Sequence, residues 1–294
     1  MVNEAAALAL SSLSPASLKA YNRNIVHFIS FIKSLPVDIP TFPATVGHIV
    51  LYVYHLHCLK LAHRTILTRL SALSYWHKAY SRPDPADHFL VKRALTGVKK
   101  ADTGKKLRCP LSLSTLNFIL GNLHQLRWPM YTQALFRAML ATSFHGFLRP
   151  GEMVDSHNAL KFKDIQLKSS SFKLRFRKFK HHRGEPVKVK VKGTGASQCP
   201  RVLMFEYLQF RGDYKGNLFC NADGSKVSYS AYSKLLRQVV EHFSLDPRLK
   251  PHSARSGAAT NAAIMGVPED RIKRYGRWAS NAHHVYIQVP VLSL

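Results

Sequence analysis

The sequence predicts a mainly helical protein with one small antiparallel β-sheet, an α+β chain in two domains. Three observations carry this. The first hundred residues show apolar positions only at helical spacing. A basic stretch without apolar periodicity follows at 99–112. Strict two-residue alternation then occurs in one place, between Phe172 and Lys192.

Ser14-Pro15 supplies an N-cap and a first-turn proline, and Leu18, Tyr21, Ile25, Phe28 and Ile32 recur behind it as one helix face up to Leu35. Pro36, Pro40 and Pro43 break the chain. Val46 to Leu61, Ile66 to Tyr80 and Phe89 to Lys99 then read as three further helices. Their polar faces are expected to carry His, Lys and Arg outward, with Lys60, His63, Arg64, Arg69, Lys78, Arg82, Lys92 and Arg93 forming a basic exterior on a compact bundle suited to a duplex. Residues 99–112 carry five basic side chains, Lys105 and Lys106 among them, around Gly104, and read as a linker. The domains are set at 1–104 and 105–294.

The second domain opens with helices at Ser114 to Leu126 and about Met130 to Ser143. Gly146 and Pro150-Gly151 mark turns, so Arg149 is placed on a fixed loop just past a helix end, with Glu152 three residues on to orient it. Phe172 to Phe176 and Val187 to Lys192 form a hairpin, apolar on one face and cationic on the other. Its turn holds Arg177, Lys178, Lys180, His181, His182 and Arg183, a tip that can enter a groove or reach a phosphate. Helices follow at Pro200 to Phe210, Ser228 to Phe243 and from Val267 to Gly276.

Composition narrows the function. Forty-three Lys and Arg stand against 16 Asp and Glu, a formal charge of +27, which a compact fold tolerates best beside a polyanion. Double-stranded DNA is the expected partner. No apolar run reaches the roughly 18 residues of a membrane span, and the N-terminus lacks the pattern of a secretion signal, so an intracellular protein is expected. Cys58, Cys109, Cys199 and Cys220 are scattered and read as reduced thiols. The histidine pairs at 181–182 and 283–284 have no acid or cysteine at a ligand spacing along the chain, so no metal site is expected. Glu152, Asp155, Asp164, Asp213 and Asp223 are too dispersed for a metal-dependent nuclease.

Near the end, Pro251-His-Ser-Ala-Arg-Ser-Gly-Ala-Ala-Thr places His252 and Arg255 three apart at a helix start, able to face one anion. Arg277 and Trp278 follow in Gly-Arg-Trp, and then Tyr286. With Arg149 and a hairpin lysine, this ordered set resembles the tyrosine recombinases, the integrase family. The phrase Pro-His-Ser-Ala-Arg-Ser-Gly-Ala-Ala-Thr with Gly-Arg-Trp is most similar to the DIRS-like, Ngaro-like and Crypton-like recombinases of eukaryotic mobile elements. The resemblance covers nearly the whole chain. It implies a four-helix SAM-like core-binding domain, a catalytic domain of the DNA breaking-rejoining type, self-association on DNA, and a nuclear address in a eukaryotic host.

It also implies roles. Tyr286 attacks phosphorus and becomes joined to the 3′-phosphate, so bond energy is kept for rejoining without a cofactor or metal. Arg149 and Arg255 hold the non-bridging oxygens. His252 is the candidate base for a phenol whose ordinary pKa is about 10. Lys180, with Lys178 as the alternative, protonates the departing 5′ oxygen. The remaining donor is Trp278 by residue type, or Arg277 by ungapped counting from Tyr286. A DNA-binding protein descended from a recombinase, and a type IB topoisomerase-like activity, are the alternatives. The eight residues after Tyr286, with Pro290 among them, are short for the subunit-docking tail of many relatives.

Overall fold

The computed structural model describes residues 12–36, 39–102, 109–177, 184–196 and 198–287. Two compact units divide between Lys106 and Leu107. Among the described residues no helix is long and apolar enough to cross a membrane.

The first unit contains four α-helices: α1 (Pro15–Lys33), α2 (Val46–Cys58), α3 (His63–Ala79) and α4 (Phe89–Ala101). Ser14 caps α1 by accepting from the Ser17 amide at 3.1 Å, the bond its sequence position predicts. Phe28 and Ile32 from α1, Ile49, Tyr52, Val53 and Leu56 from α2, Ile66, Leu70 and Leu73 from α3, and Val91 and Val98 from α4 form its core. One basic side chain departs from the expected outward pattern. His77 is fully buried, accepting the Ala44 amide at Nε2 (2.9 Å) and reaching Leu73 O with Nδ1 (2.8 Å), so it ties the loop before α2 to α3. The expected linker is also shorter than its composition implies. Lys99 to Ala101 continue α4, and the Asp102 carboxylate after them accepts the His63 amide at 2.8 Å.

The second unit has six α-helices among its described residues: α5 (Leu113–Asn122), α6 (Met130–His145), α7 (Pro200–Arg211), α8 (Tyr229–His242), α9 (Ser253–Ile264) and α10 (Glu269–Gly276). It also has an antiparallel sheet of three strands, β1 (Ile165–Lys168), β2 (Ser171–Phe176) and β3 (Val187–Lys192), in that order. The register pairs Phe172 with Val191, Leu174 with Val189 and Phe176 with Val187. The alternating apolar residues therefore share a face. Phe172, Leu174, Phe176 and Val191 are buried, while Arg175, Lys188, Lys190 and Lys192 are exposed. Strand β1 extends the hairpin, with Ile165 opposite Leu174.

Helix α6 runs through the core and buries ten consecutive or near-consecutive residues, Ala134 to Phe136 and Ala138 to Phe144. Helix α9 lies against α6 and is built from small residues because backbone approaches it closely. A Cβ on Gly257 would sit 1.8 Å from Leu111 O, where the Leu111 amide already donates to Ser253 O at 2.9 Å. All four cysteines are free thiols.

At the C-terminal end of α6, burial pushes His145 down to about 4 from the ordinary 6.5. Its folded value lies below its unfolded one, so the unfolded chain takes up more protons as pH falls between these two values. Stability is thus lost on acidification from 6.5 toward 4. Denaturant melts of His145→Gln are expected to show a flatter acid limb over that window than the wild-type chain.

Candidate active site

Three separate stretches meet at the turn that ends α6. Gly146 is the C-cap of α6, and a Cβ there would lie 2.5 Å from Leu148 Cδ1 and 2.9 Å from Thr142 O, so the turn is packed around a glycine. Phe147 then adopts φ +52°, an uncommon left-handed setting for a bulky residue. This reversal aims the Phe147 carbonyl at two guanidinium groups. It accepts from Arg255 Nη1 of α9 and, at 3.3 Å, from Arg277 Nη2 of the turn after α10.

Arg149 follows two residues later, and Glu152 holds it as expected. The Glu152 carboxylate accepts the Arg149 amide at 2.7 Å and Arg149 Nη1 at 3.3 Å. The same carboxylate accepts Arg277 Nη2 at 2.8 Å, with both side chains only 2% exposed. Arg149 Nη2 reaches Arg277 O at 3.3 Å. Glu152 is therefore shared between two arginines 128 positions apart in the chain, which local spacing did not reveal. The Arg149 side chain keeps 18% of its surface exposed.

His252 and Arg255, three positions apart at the start of one helix, differ in access. His252 is exposed at the N-cap of α9. Arg255 is fully buried, with Nη1 on Phe147 O and Nη2 on Gly276 O, and its buried Nε has no hydrogen-bond partner among the described residues. Its guanidinium carbon lies 4.2 Å from the centre of the Trp278 ring and 5.7 Å from that of Tyr286. Burial first, and then the Arg149 and Arg277 charges, push Arg255 down to about 9, with Glu152 and Tyr286 opposing. Arg277 is lowered for the same leading reason, burial. One carboxylate among three arginines leaves a surplus of positive charge that an anion would relieve.

Arg277 has φ +53°, and its guanidinium stacks 3.9 Å from the Phe176 ring of β2. Trp278 is 8% exposed, with its ring centre 5.3 Å from that of Tyr286. Gly276 makes this possible. A Cβ there would lie 1.5 Å from the indole, far inside any contact distance. Gly276→Ala is accordingly expected to cost about 3 kcal/mol or more by overpacking, read as a lower denaturant midpoint at unchanged m-value.

Tyr286 closes a 3₁₀ turn, Asn281–Val285, and donates its amide to His283 O at 2.8 Å. Thr260 Oγ1 of α9 donates to Tyr286 O at 3.2 Å. The two sides of the chain's end thus fix the backbone that carries the phenol.

The basic residues assigned to DNA are distributed unevenly. Lys180, Lys178, Arg183, Lys105 and Lys106 lie outside the described residues. Arg177 is exposed, and its Nε donates to the buried Asp164 carboxylate at 2.6 Å. Lys60 is exposed, in a left-handed turn after α2. Arg64 and Arg69 line one recess of about 570 Å³ in the first unit, together with Arg23, Asn24, Thr65 and Thr68. Arg23 was not singled out from sequence, where it appears as one more polar residue between the apolar positions of α1. The histidine pair at 283–284 has a neighbour that spacing along the chain did not reveal. Glu269, distant in sequence, meets both rings through the fold.

A mainly helical unit with a three-stranded antiparallel sheet, presenting arginines and a late tyrosine around one turn, has the fold of a tyrosine-recombinase catalytic domain. The chain belongs to the phage integrase family, whose profile matches residues 113–289. No curated protein sequence matches it. Among solved structures, a lambda integrase dimer bound to a COC′ core site is similar over 98% of this chain and 76% of that one, with 13% identity and a TM-score of 0.65. XerH site-specific recombinase bound to its difH substrate covers 92% and 75%, at 16% identity and TM-score 0.63. The Tn1549 transposon integrase in complex with circular intermediate DNA covers 93% and 95%, at 14% and 0.62. At these identities the likeness is one of fold.

Proposed function

We propose that the chain is a site-specific DNA recombinase or integrase that cuts and rejoins duplex DNA through a 3′-phosphotyrosyl intermediate on Tyr286. The DIRS-like, Ngaro-like and Crypton-like resemblance of its motifs supports a role in mobile-element integration. One observation carries the reading: the Tyr286 ring, the Arg255 guanidinium and the Trp278 indole adjoin one another, and Arg255 shares the Phe147 carbonyl with the arginine that Glu152 ties to Arg149.

In the proposed reaction the Tyr286 oxygen bonds to phosphorus and the bond to the 5′ oxygen breaks. The phenolic proton passes to His252, and the 5′ oxygen receives one from Lys180 or Lys178. Arg149, the more exposed of the site arginines, meets the phosphate first, and the surplus positive charge behind it stabilises the crowded phosphorane. Trp278 contributes its indole N–H or, failing that, shapes the floor on which Arg255 rests. Reverse attack by a 5′ hydroxyl restores the diester and frees Tyr286. The recess between α1 and α3, with Arg23, Arg64 and Arg69, suits a phosphate of the duplex backbone, and the +27 charge suits assembly of several copies on DNA.

The test is a nicked suicide substrate incubated with the full chain in EDTA. A covalent adduct that survives denaturation supports the reading; adduct formation only after Mg²⁺ is added overturns it. The full burial of Arg255 favours a second reading, a DNA-binding protein descended from a recombinase. That reading predicts duplex binding with no adduct. A type IB topoisomerase-like enzyme would form the same adduct, and strand transfer between two duplexes separates it from a recombinase.

A further inference from the structure

We infer that Glu269, His283 and His284 form a binding site for a divalent metal of borderline softness, with zinc the best fit, at the base of the segment that carries Tyr286. The three side chains come from two elements, the first turn of α10 and the 3₁₀ turn Asn281–Val285. Glu269 Oε1 lies 2.7 Å from His283 Nε2 and 3.1 Å from His284 Nε2, and one ligand atom from each residue falls within 4.8 Å of the others.

The hydrogen-bond pattern of His283 points to a cation there. Its side chain is fully buried, Nε2 faces the Glu269 carboxylate, and Nδ1 faces the Ser280 carbonyl at 3.5 Å. Both ring nitrogens therefore look at acceptors. A neutral imidazole carries one proton and satisfies one of them. A metal on Nε2, with the proton on Nδ1 donated to Ser280 O, satisfies both, and this is the usual arrangement of a metal-bound histidine. A second imidazole on the same carboxylate oxygen completes a His₂Glu donor set, which leaves a further position for water. Ligand atoms across a tetrahedral zinc ion stand roughly 3.3 Å apart, so the Glu269–His283 pair, at 2.7 Å, must open by about half an ångström and the Glu269–His284 pair, at 3.1 Å, by less. The His284 and Glu269 side chains are more than half exposed and provide the way in. The chain's net charge of +27 opposes a cation, so binding must come from the donors themselves.

The site has a structural consequence whatever the chemistry of Tyr286. Tyr286 N is bonded to His283 O, so a metal that locks His283 and His284 to α10 also fixes the turn holding the phenol.

The test is titration of the full-length chain with Co²⁺ as a visible probe, then displacement by Zn²⁺. One Co²⁺ per chain is expected to give the strong d–d absorption of a low-coordinate site. His284→Ala and Glu269→Gln, both at exposed positions that leave the core intact, should each weaken binding by more than about tenfold. Zinc should raise the melting temperature of the wild-type chain and of neither variant. Absence of the band in the wild type, or its persistence in both variants through other histidines, overturns the inference. DNA cleavage does not enter these readouts, so they stand apart from the proposed reaction.

Discussion

Tyr286→Phe is expected to eliminate the covalent adduct on a nicked suicide substrate while duplex affinity stays nearly that of the wild type. The substitution removes one oxygen from a ring that lies against Trp278 and Arg255. The Trp278 ring centre stands 5.3 Å away and the Arg255 guanidinium 5.7 Å from the ring centre, and phenylalanine keeps both contacts. Backbone bonds from Tyr286 N to His283 O and from Thr260 Oγ1 to Tyr286 O are equally preserved. These contacts carry over to phenylalanine, so the fold and duplex affinity are expected to change little while the nucleophilic oxygen is lost. Arg149→Ala gives the complementary result. Losing one charged donor to the phosphorane is expected to slow cleavage by about 10²–10³-fold, with duplex binding sustained by the many other cations. Adduct that persists in Tyr286→Phe assigns the nucleophile elsewhere, and binding that falls in step with cleavage in Arg149→Ala makes Arg149 an anchor.

Glu152→Ala should have the largest effect on stability. The variant leaves the Arg277 guanidinium, 2% exposed, without its carboxylate, and frees Arg149 Nη1 and the Arg149 amide as well. Removing one partner of a buried ion pair costs about 3–5 kcal/mol, because the remaining charge stays in the interior unpaired. A substantial drop in the urea midpoint is expected, together with loss of cleavage. Glu152→Gln keeps the acceptor oxygen and the shape, so its midpoint should fall between those of the wild type and Glu152→Ala. Equal midpoints for wild type and Glu152→Ala would mean that Arg277 finds water in place of the carboxylate.

Much of this architecture was legible because periodicity is a local signal. The stripe from Leu18 to Ile32, the cap at Ser14 and the alternation at Phe172–Phe176 each state their own geometry, and the elements follow within a few residues. Strand β1 was not legible: Ile165-Gln-Leu-Lys168 is four residues long, and it becomes a strand only because β2 offers an edge. The same division runs through the site. Arg149 and Glu152 were paired correctly, since their contact spans three residues. The link from Glu152 to Arg277, the Phe147 carbonyl between two arginines and the meeting of Glu269 with His283 all span distant sequence positions, and only packing reveals them. The ion pair of Arg177 with Asp164, thirteen positions back along the chain, was likewise not legible from spacing.

The turn at Gly276, Arg277 and Trp278 bears on how the protein can evolve. Three adjacent positions there make three incompatible demands: no side chain at all, a cation held at left-handed φ, and a large indole. Tyr275 before them and Ala279 after them are exposed. Sequence drift is therefore expected to be slower across this three-residue block than at the exposed positions on either side of it. Escape would require two or three coordinated replacements at once, so this short phrase should outlast the surrounding sequence as a marker of descent.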